Sequence, residues 1–248
     1  MKYNKDFPFN DIEKNDKVVI VDFDLQKEGD WEKLLKITPN VVWIDHHASA
    51  IKKAAGNPQE KLEGSRKDGT AACKLAWEYF NKNEKAPKVV ELVNIFDIWN
   101  EGSSDWQSAL LFNYGSGAFN TSPDSSFWQE CIDAYKKVME IIGKGETVKH
   151  YEENKTDKTI RDYGYETKFN DKKCFVINAP TKGSMAFGKN LDKYDMCANW
   201  TYDGKIYNIG LYSNKDNINV SDMCKKYGGG GHKGAGGFQS ENNPFVKG

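Results

Sequence analysis

The sequence predicts an α/β protein with a larger parallel-sheet domain and a smaller α/β domain. Two runs, Val18–Val21 and Val41–Ile44, are apolar on successive residues, as strands covered on both faces are. A helical pattern between them indicates a β-α-β crossover, whose two strands run parallel. The last third of the chain changes to short strand patterns and a glycine-rich segment. The 248 residues are enough for two cores.

The crossover places acidic residues at one edge of the predicted sheet. Asp30 can cap a short amphipathic helix that ends before Pro39. Each strand is followed directly by an aspartate, Asp22 after the first and Asp45 after the second. In open α/β sheets, ligands bind outside the carboxyl ends of the strands. We therefore expect both aspartates at a ligand-binding edge.

Two more helices are predicted in the larger domain. The first spans residues 69–82, with Thr70 as its N-cap. The second begins at Pro87, a residue favoured in the first turn of a helix. It ends near Asp97, which brings a third carboxylate towards the same edge.

A helical connector is predicted between the domains. The pattern continues over residues 127–155, with Gly143 and Gly145 as candidate breaks. The predicted organisation is a first domain over residues 1–126, this linker helix, and a second domain over residues 156–248.

The second domain is predicted from three strand patterns, a hairpin signal and a helix. The strand patterns cover residues 172–179, 195–202 and 205–213. Asp203-Gly204 between the last two strongly indicates a short hairpin. A short helix from Val220 or Ser221 then leads into a glycine-rich segment, residues 228–238.

The composition excludes several classes of protein. Hydrophobic residues make up 38% and charged residues 29%, as in a globular chain, and the net charge is -1. The two arginines, Arg66 and Arg161, argue against binding of long nucleic acid or processive degradation of long single strands. A short anionic substrate remains compatible. Trp99 and Trp106 could stack on bases, although core packing is the stronger expectation.

The cysteines and hydropathy indicate a soluble cytoplasmic protein. The five cysteines are scattered and form no C-x-x-C pair, which favours free thiols in a reducing compartment. No apolar run approaches the roughly 20 residues of a membrane span. We therefore expect no membrane partner.

Five side chains can converge at the predicted sheet edge: Asp22, Asp45, His46, His47 and Asp97. Carboxylates and imidazoles together suit manganese, and also iron or zinc. An ordinary structural interpretation stays open, in which the aspartates are turn residues and one histidine is hydrogen-bonded in the core. Two consecutive histidines after a buried strand and an aspartate favour the metal interpretation.

Segment 228–238 contains seven glycines in eleven positions. Glycine allows positive φ and close backbone approach, so successive N–H groups can point at an anion, and His232 adds a donor. A flexible linker is the alternative. An amphipathic helix before the segment and Phe238 at its end favour anion binding.

The stretches VVWIDHH and VSDMCKKYGGGGHKGAGGF resemble the DHH phosphoesterase superfamily, of the RecJ-like and nano-RNase type. The resemblance covers nearly the whole chain, as a DHH domain, a linker helix and a DHH-associated domain. It implies a manganese-dependent hydrolase, a nuclease or oligoribonuclease, acting on phosphoester bonds. Its expected substrates are short single-stranded oligonucleotides, or cyclic dinucleotides and their linear products.

The resemblance also implies roles for individual residues. Asp22, His46 and Asp97 would bind metal. His47 would lie next to the scissile phosphate, with Asp45 orienting the histidine pair.

The resemblance also implies that the second domain binds the substrate. The resemblance assigns the substrate's nucleotide end to Gly229, Gly230, Gly231 and His232, facing the metals across an interdomain cleft. Lys215 stands where family members often carry an arginine, and it could act there as a point charge.

One family motif has no counterpart here. The H-x-D-x-D-G motif of the family's first strand is not found before Asp22, so that strand is expected to be missing, and a weakened or single-metal site is expected. Manganese is the expected ion, in one or two copies, with magnesium or another divalent metal as alternatives. Three explanations stay open: a longer natural product, which is favoured, a truncated chain that only binds nucleotide, or a partner chain that supplies the motif.

The expected function is therefore a manganese-dependent phosphodiesterase of short oligonucleotides or dinucleotides, with doubt about whether this chain acts alone. The alternative is a catalytically inactive nucleotide-binding module. A homodimer is compatible with both.

Overall fold

The computed structural model describes residues 6–25, 27–180 and 183–245. The chain is an α/β protein that divides into two compact units, Met1–Lys149 and His150–Gly248. None of the helices in the described ranges has the length and apolar character that crossing a membrane requires.

The described residues of the first unit form two strands, β1 and β2, and a set of helices. Its elements are β1 (Val18–Val21), α1 (Asp30–Ile37), β2 (Val41–Ile44), α2 (Ala48–Ala54), α3 (Ala72–Phe80), α4 (Lys88–Asp97), α5 (Trp106–Ser116) and α6 (Phe127–Asp133). Helix α7 (Tyr135–Tyr163) begins in this unit.

The predicted crossover is confirmed. Strands β1 and β2 pair in parallel from Val18↔Val41 to Val21↔Ile44, with α1 between them in sequence. All four residues of β2 are buried, as expected for a strand covered on both faces. On its other side β2 is hydrogen-bonded to residues 63–67, through Trp43 N to Glu63 O at 2.9 Å.

Strand β1 differs from the prediction. The sequence predicts a strand covered on both faces, but Val19 and Val21 are 40% and 39% exposed. Within the described ranges β1 pairs only with β2, so it forms an open edge of the sheet. Its alternate residue Ile20 is 5% exposed and packs in the core with α1.

The helix starts differ from the predicted caps. Gly29, with φ 81, is the N-cap of α1, and Asp30 is its first residue. Helix α3 starts after Ala71 rather than at the predicted Thr70 cap, and Pro87 is the N-cap of α4. Each of these starts lies within one residue of its predicted position, which is the ordinary variation of helix boundaries.

Glycines 143 and 145 do not break α7, which is continuous over 29 residues. Gly145 is instead a contact point between helices, because a Cβ there would lie 2.0 Å from Leu111 O in α5. A Cβ on Gly143 would meet no atom within 4 Å. One glycine therefore permits close helix packing, while the other faces open space.

The second unit is built on a six-stranded sheet in the order β3-β4-β5-β6-β8-β7. Its strands are β3 (Gly164–Phe169), β4 (Lys172–Ile177), β5 (Met196–Tyr202), β6 (Tyr207–Tyr212), β7 (Gly230–Gly231) and β8 (Ala235–Ser240). Its short helices are α8 (Asn190–Lys193) and α9 (Val220–Lys225). All neighbours are antiparallel except β4 and β5, which are parallel.

The three predicted strands and the hairpin of this unit are confirmed. Strands β5 and β6 are joined through Asp203-Gly204, where Asp203 N donates to Ile206 O at 3.3 Å. Helix α9 begins at Val220, one of its two predicted starts, and packs on the sheet with Val176 and Leu211. Strands β3 and β8 were not predicted. Tyr165, Thr167 and Phe169 of β3 alternate with Glu166 and Lys168, so a strand signal was available there, whereas the glycine-containing β8 has no alternating pattern of its own.

Candidate metal centre

Asp22 and Asp45 lie where the two strands of the first unit end. Asp22 N donates to Ile44 O at 2.9 Å, which is the last ladder contact of β1. Asp22 has φ 58, in the left-handed region that aspartate tolerates better than most residues. The chain turns at this residue, and its carboxylate stays at the sheet edge.

Asp45 is fully buried and organises the residues that follow it. Its Oδ1 accepts from His46 N at 2.7 Å, His47 N at 2.9 Å and His47 Nδ1 at 2.7 Å. Because an ionised carboxylate only accepts hydrogen bonds, His47 Nδ1 is the donor in the contact with Asp45 Oδ1. Within the described part of the chain, Asp45 Oδ2 has no hydrogen-bond partner.

His46 lies between two carboxylates. Its Nε2 is 3.2 Å from Asp22 Oδ1 and 3.5 Å from Asp97 Oδ2, and its side chain is only 13% exposed. His47 Nδ1 is 3.8 Å from the same oxygen of Asp22. The structure therefore brings together the three predicted metal ligands and the predicted catalytic pair.

The donor atoms fit a divalent cation. One ligand atom from each of Asp22, His46 and His47 can be chosen so that all lie within 4.8 Å of one another. Donors about 2.1 Å from one ion lie roughly 3 to 4 Å apart, so the His46 and carboxylate spacings need little adjustment. Mixed carboxylate and imidazole donors suit manganese, iron or zinc. We name Asp22, His46, His47 and Asp97 the edge cluster.

The electrostatics of the edge cluster also favour a cation. Burial raises the pKa of the Asp22 carboxyl. The neighbouring imidazoles act against this rise, while the negative charges of Asp97 and Asp45 add to it. A bound cation would relieve the repulsion among these carboxylates.

Two residues near the edge cluster were missed by sequence reasoning. Buried Asn94 accepts a hydrogen bond from Ala71 N at 2.8 Å through Oδ1, and so ties the start of α3 to α4, the helix that ends at Asp97. Burial, followed by the charges of Asp97 and Asp22, raises the pKa of the Cys73 thiol to about 11. A polar residue three positions before Asp97 on an apolar helix was the available signal for Asn94.

The glycine segment of the second unit is organised differently from the prediction. Residues 230–231 form β7, which pairs with β8. Gly229 N donates to Cys224 O at 3.0 Å, and His232 N donates to Ala235 O at 2.7 Å. These N–H groups are already used within the fold, so the expected row of free donors for an anion is not present at Gly229 and His232.

The strand pair itself explains much of the glycine content. A Cβ on Gly229 would lie 2.1 Å from Gly237 O, and one on Gly231, where φ is 139, would lie 2.4 Å from Ala235 O. Gly230 differs, because a Cβ there meets no atom within 4 Å. Of the three predicted binding glycines, Gly229, Gly230 and Gly231, Gly230 is thus the one whose α-carbon faces open space.

Lys215, the remaining predicted binding residue, is held by the fold. Its Nζ donates to Asp192 O at 2.7 Å.

A polar groove of about 490 Å³ lies beside the start of the glycine segment. Its lining includes Asn199, Asn208, Gln239, Tyr227 and Gly229. The buried Asn199 Oδ1 finds no hydrogen-bond donor among the described residues. The amides were not recognisable from sequence, because they come from three strands that only pairing brings together.

The comparisons with known proteins establish the fold. No protein-family model matches the chain. An uncharacterised protein of Acanthamoeba polyphaga mimivirus is 24% identical over 246 residues, which is 95% of this chain and 56% of that protein. The chain therefore spans about half the length of this curated relative.

Among solved structures, the DHH domain of a protein described as a member of a ribosomal-protein family matches with a TM-score of 0.55 and 15% identity. The match covers 90% of this chain and 65% of that one. The chain has a DHH-type fold. A pGpG-specific phosphodiesterase from Vibrio cholerae is also similar, at a TM-score of 0.43 and 14% identity over 88% of this chain and 83% of that one, which is too weak to support a functional conclusion.

The residues of the DHH stretch lie at the carboxyl end of a strand. The Asp45-His46-His47 stretch that suggested the resemblance lies at the carboxyl end of β2, next to the Asp22 turn. Ligand sites of open α/β sheets occur at this kind of edge.

Proposed function

We propose that the protein is a manganese-dependent phosphodiesterase that hydrolyses short oligonucleotides or dinucleotides. The observation that carries the proposal is the convergence of His46 Nε2 with carboxylate oxygens of Asp22 and Asp97 at 3.2 and 3.5 Å. The DHH-type fold supports it. The resemblance of the sequence motifs to the DHH phosphoesterase superfamily supplies the reaction class.

In this proposal the edge cluster holds the cation and positions the phosphate. Asp22, His46 and Asp97 bind the metal. When bound, the ion offsets charge on the phosphate and lowers the pKa of an attacking water.

His47 acts next to the phosphate. Its ring is held by the 2.7 Å hydrogen bond from Nδ1 to buried Asp45. Fixing a histidine through its second nitrogen sets its tautomer and orientation before substrate arrives.

A short substrate is favoured because the net charge is -1 and both arginines of the chain are engaged within the fold, which does not suit tracking of a long strand. The guanidinium of Arg66 donates to the backbone oxygens of Trp43 at 2.9 Å and Leu62 at 2.7 Å. Arg161, the other arginine, pairs with Asp162 at 3.0 Å. Long nucleic acids are usually held by dense, available cationic groups.

The direct test is hydrolysis of the dinucleotide pApA with manganese. We expect turnover by the wild type and its loss in His46→Ala, because one metal ligand is removed. His150→Ala, which changes an exposed histidine on α7, serves as the matched control and should retain activity. Equal activity of His46→Ala and wild type would refute the assigned site.

Metal stoichiometry is a separate test. Calorimetric titration of this chain with manganese should show one tight equivalent, because the described residues bring together one group of candidate ligand atoms, on Asp22, His46 and His47. Two tight equivalents would contradict a single-metal site.

Nucleotide binding without turnover is the second candidate function. The observation that favours it is the polar groove of the second unit, which is lined by residues of that unit alone. Thermal shift with nucleotide, with and without a chelator, distinguishes the two. Stabilisation that survives removal of the metal, together with absent turnover, would favour the binding module.

A further inference from the structure

Trp99 is an exposed aromatic residue close to the edge cluster. It follows Asp97, the last residue of α4, by two positions, and the residue is 44% exposed. Two residues of chain span at most about 7 Å, so the Trp99 backbone lies close to a proposed metal ligand. This combination calls for an explanation, because sequence reasoning favoured a core position for this ring.

The backbone at Trp99 is one that normally requires glycine. Trp99 has φ 54, and it follows the C-cap Ile98. Asn100 N donates to Ile95 O at 3.0 Å and Trp99 N to Phe96 O at 3.1 Å. This is the Schellman pattern, whose left-handed residue is usually glycine. A tryptophan there strains the backbone, and such strain is concentrated at functional positions.

The Trp99 ring packs against two other aromatic rings. Its centroid is 5.1 Å from that of Trp106, edge to face, and 5.5 Å from that of Phe96. Phe96 and Trp106 are themselves stacked at 6.1 Å and pack against the buried helical core of the first unit. The exposed ring is therefore fixed by two anchored aromatics rather than projecting as an isolated side chain.

We infer that Trp99, with Phe96 and Trp106 behind it, is a stacking subsite for a nucleobase of the substrate. The inference deepens the proposed function and rests on it, since it gives the substrate of the edge cluster a base. Purine and pyrimidine rings both offer a π face, so stacking selects for a base without reading its sequence. Substrates made of phosphate alone, such as inorganic polyphosphate, would gain nothing from this ring.

The test measures binding, so it does not depend on turnover. Adenosine 5′-monophosphate and ribose 5-phosphate share a phosphate and a ribose, but only the first has a base. Calorimetry with manganese should show tighter binding of adenosine 5′-monophosphate to the wild type. Trp99→Gly should weaken it by roughly 5- to 150-fold, the range for loss of one base–aromatic stack. Binding of ribose 5-phosphate should not change.

Trp99→Gly is chosen because it should fold. Glycine suits the left-handed position, so the thermal midpoint should equal or exceed that of the wild type. Trp99→Phe should retain part of the preference for the base. Phe80→Ala is the control, because Phe80 is 50% exposed and lies near Lys17, which precedes β1, whereas Asp22 follows that strand.

Two results would overturn the subsite. One is equal affinity of the wild type for both probes. The other is an equal loss for both probes in Trp99→Gly. Failure of the proposed hydrolysis would appear separately, as absent cleavage of pApA with base-dependent binding intact.

Discussion

The edge cluster of the first unit and the glycine segment of the second were both recognised in the sequence as candidate sites, but the structure treats them differently. At the edge, side chains from three elements converge, and buried Asp45 uses one oxygen for three hydrogen bonds. In the glycine segment, close backbone contacts between β7 and β8 leave no room for a Cβ and so explain several of the glycines. Carboxylates and imidazoles that several elements bring to one point are a stronger sign of function than glycines, because close backbone packing alone can explain a glycine.

The largest effect is expected from Asp45→Ala. It leaves the N–H groups of His46 and His47 and the His47 ring without their acceptor, and we expect a loss of about 3 kcal/mol in the free energy of unfolding. Manganese affinity should fall about 10- to 100-fold through misorientation of the histidines. Urea unfolding followed by tryptophan fluorescence reports mainly on the first unit, because six of the seven tryptophans lie in it.

Asp11→Ala, at an exposed position of the same unit, is the control for this experiment. Unchanged stability and metal affinity in Asp45→Ala would contradict the role of Asp45 in holding His46 and His47 in place for a metal.

The next effect is expected within the glycine segment. Gly229→Ala should destabilise the second unit by about 1 to 3 kcal/mol, because its Cβ collides with backbone that cannot rotate away. Gly230→Ala should be nearly neutral, since its Cβ meets open space. Trp200 fluorescence, isolated in a variant without the other tryptophans, or limited proteolysis of the second unit, would measure both.

Equal effects of the two alanines would contradict the packing explanation. Gly230→Ala could instead keep normal stability but lose nucleotide binding. That result would show that this glycine, unlike Gly229, has a role in ligand binding.

A smaller effect is expected in α7, where one glycine makes a close helix contact and the other faces open space. Gly143→Ala should raise the free energy of unfolding by about 0.5 to 1 kcal/mol, through helix propensity alone. Gly145→Ala should lower it, because the added Cβ meets Leu111 O. Thermal denaturation of both variants is sufficient, and stabilisation by both would contradict the close contact of α5 with α7.

The smallest effect is expected from Asp22→Asn in metal-free protein. The native pKa of Asp22 is raised above its ordinary 3.8, so the native state binds this proton more tightly than the unfolded chain does. The charged carboxylate therefore costs stability at neutral pH. An asparagine in this position would keep the left-handed turn and remove the charge, and the variant should melt slightly higher while losing manganese affinity.

The sign of this effect depends on pH. As pH falls through the raised native pKa towards 3.8, the wild type becomes protonated and its disadvantage disappears. Melting curves with a chelator at pH 7 and at successively lower pH should show the two proteins converging. A difference that grows as the pH falls would contradict the raised pKa.

The features that were predicted correctly from the sequence are those that short local residue patterns determine. Residues Val41–Ile44 were correctly predicted as a doubly covered strand. Asp22 and His46 were expected together because parallel strands share an edge, and Asp97 was expected there because a predicted helix ends at it. The Asp203-Gly204 dipeptide was sufficient to predict the hairpin between β5 and β6. These features depend on a few neighbouring residues or on a topological rule.

Features set by distant partners were not predictable. The exposure of Val19 depends on what lies beside β1, and the strand character of Gly230–Gly231 depends on β8. Asn94 becomes significant only once α3 is placed on α4. The left-handed backbone of Trp99 is a tertiary outcome, because propensity alone would favour glycine there.

The open edge of β1 has a consequence for solubility. Val18–Val21 is a short apolar strand with an unpaired side in the described structure, the kind of segment that pairs with other chains and aggregates. A lysine precedes it, Lys17, and an aspartate follows it, Asp22. Charges in these flanking positions oppose intermolecular pairing. Asp22 thus protects the protein in solution as well as serving the edge cluster, and its neutralised variant should precipitate at lower concentration even though it melts higher.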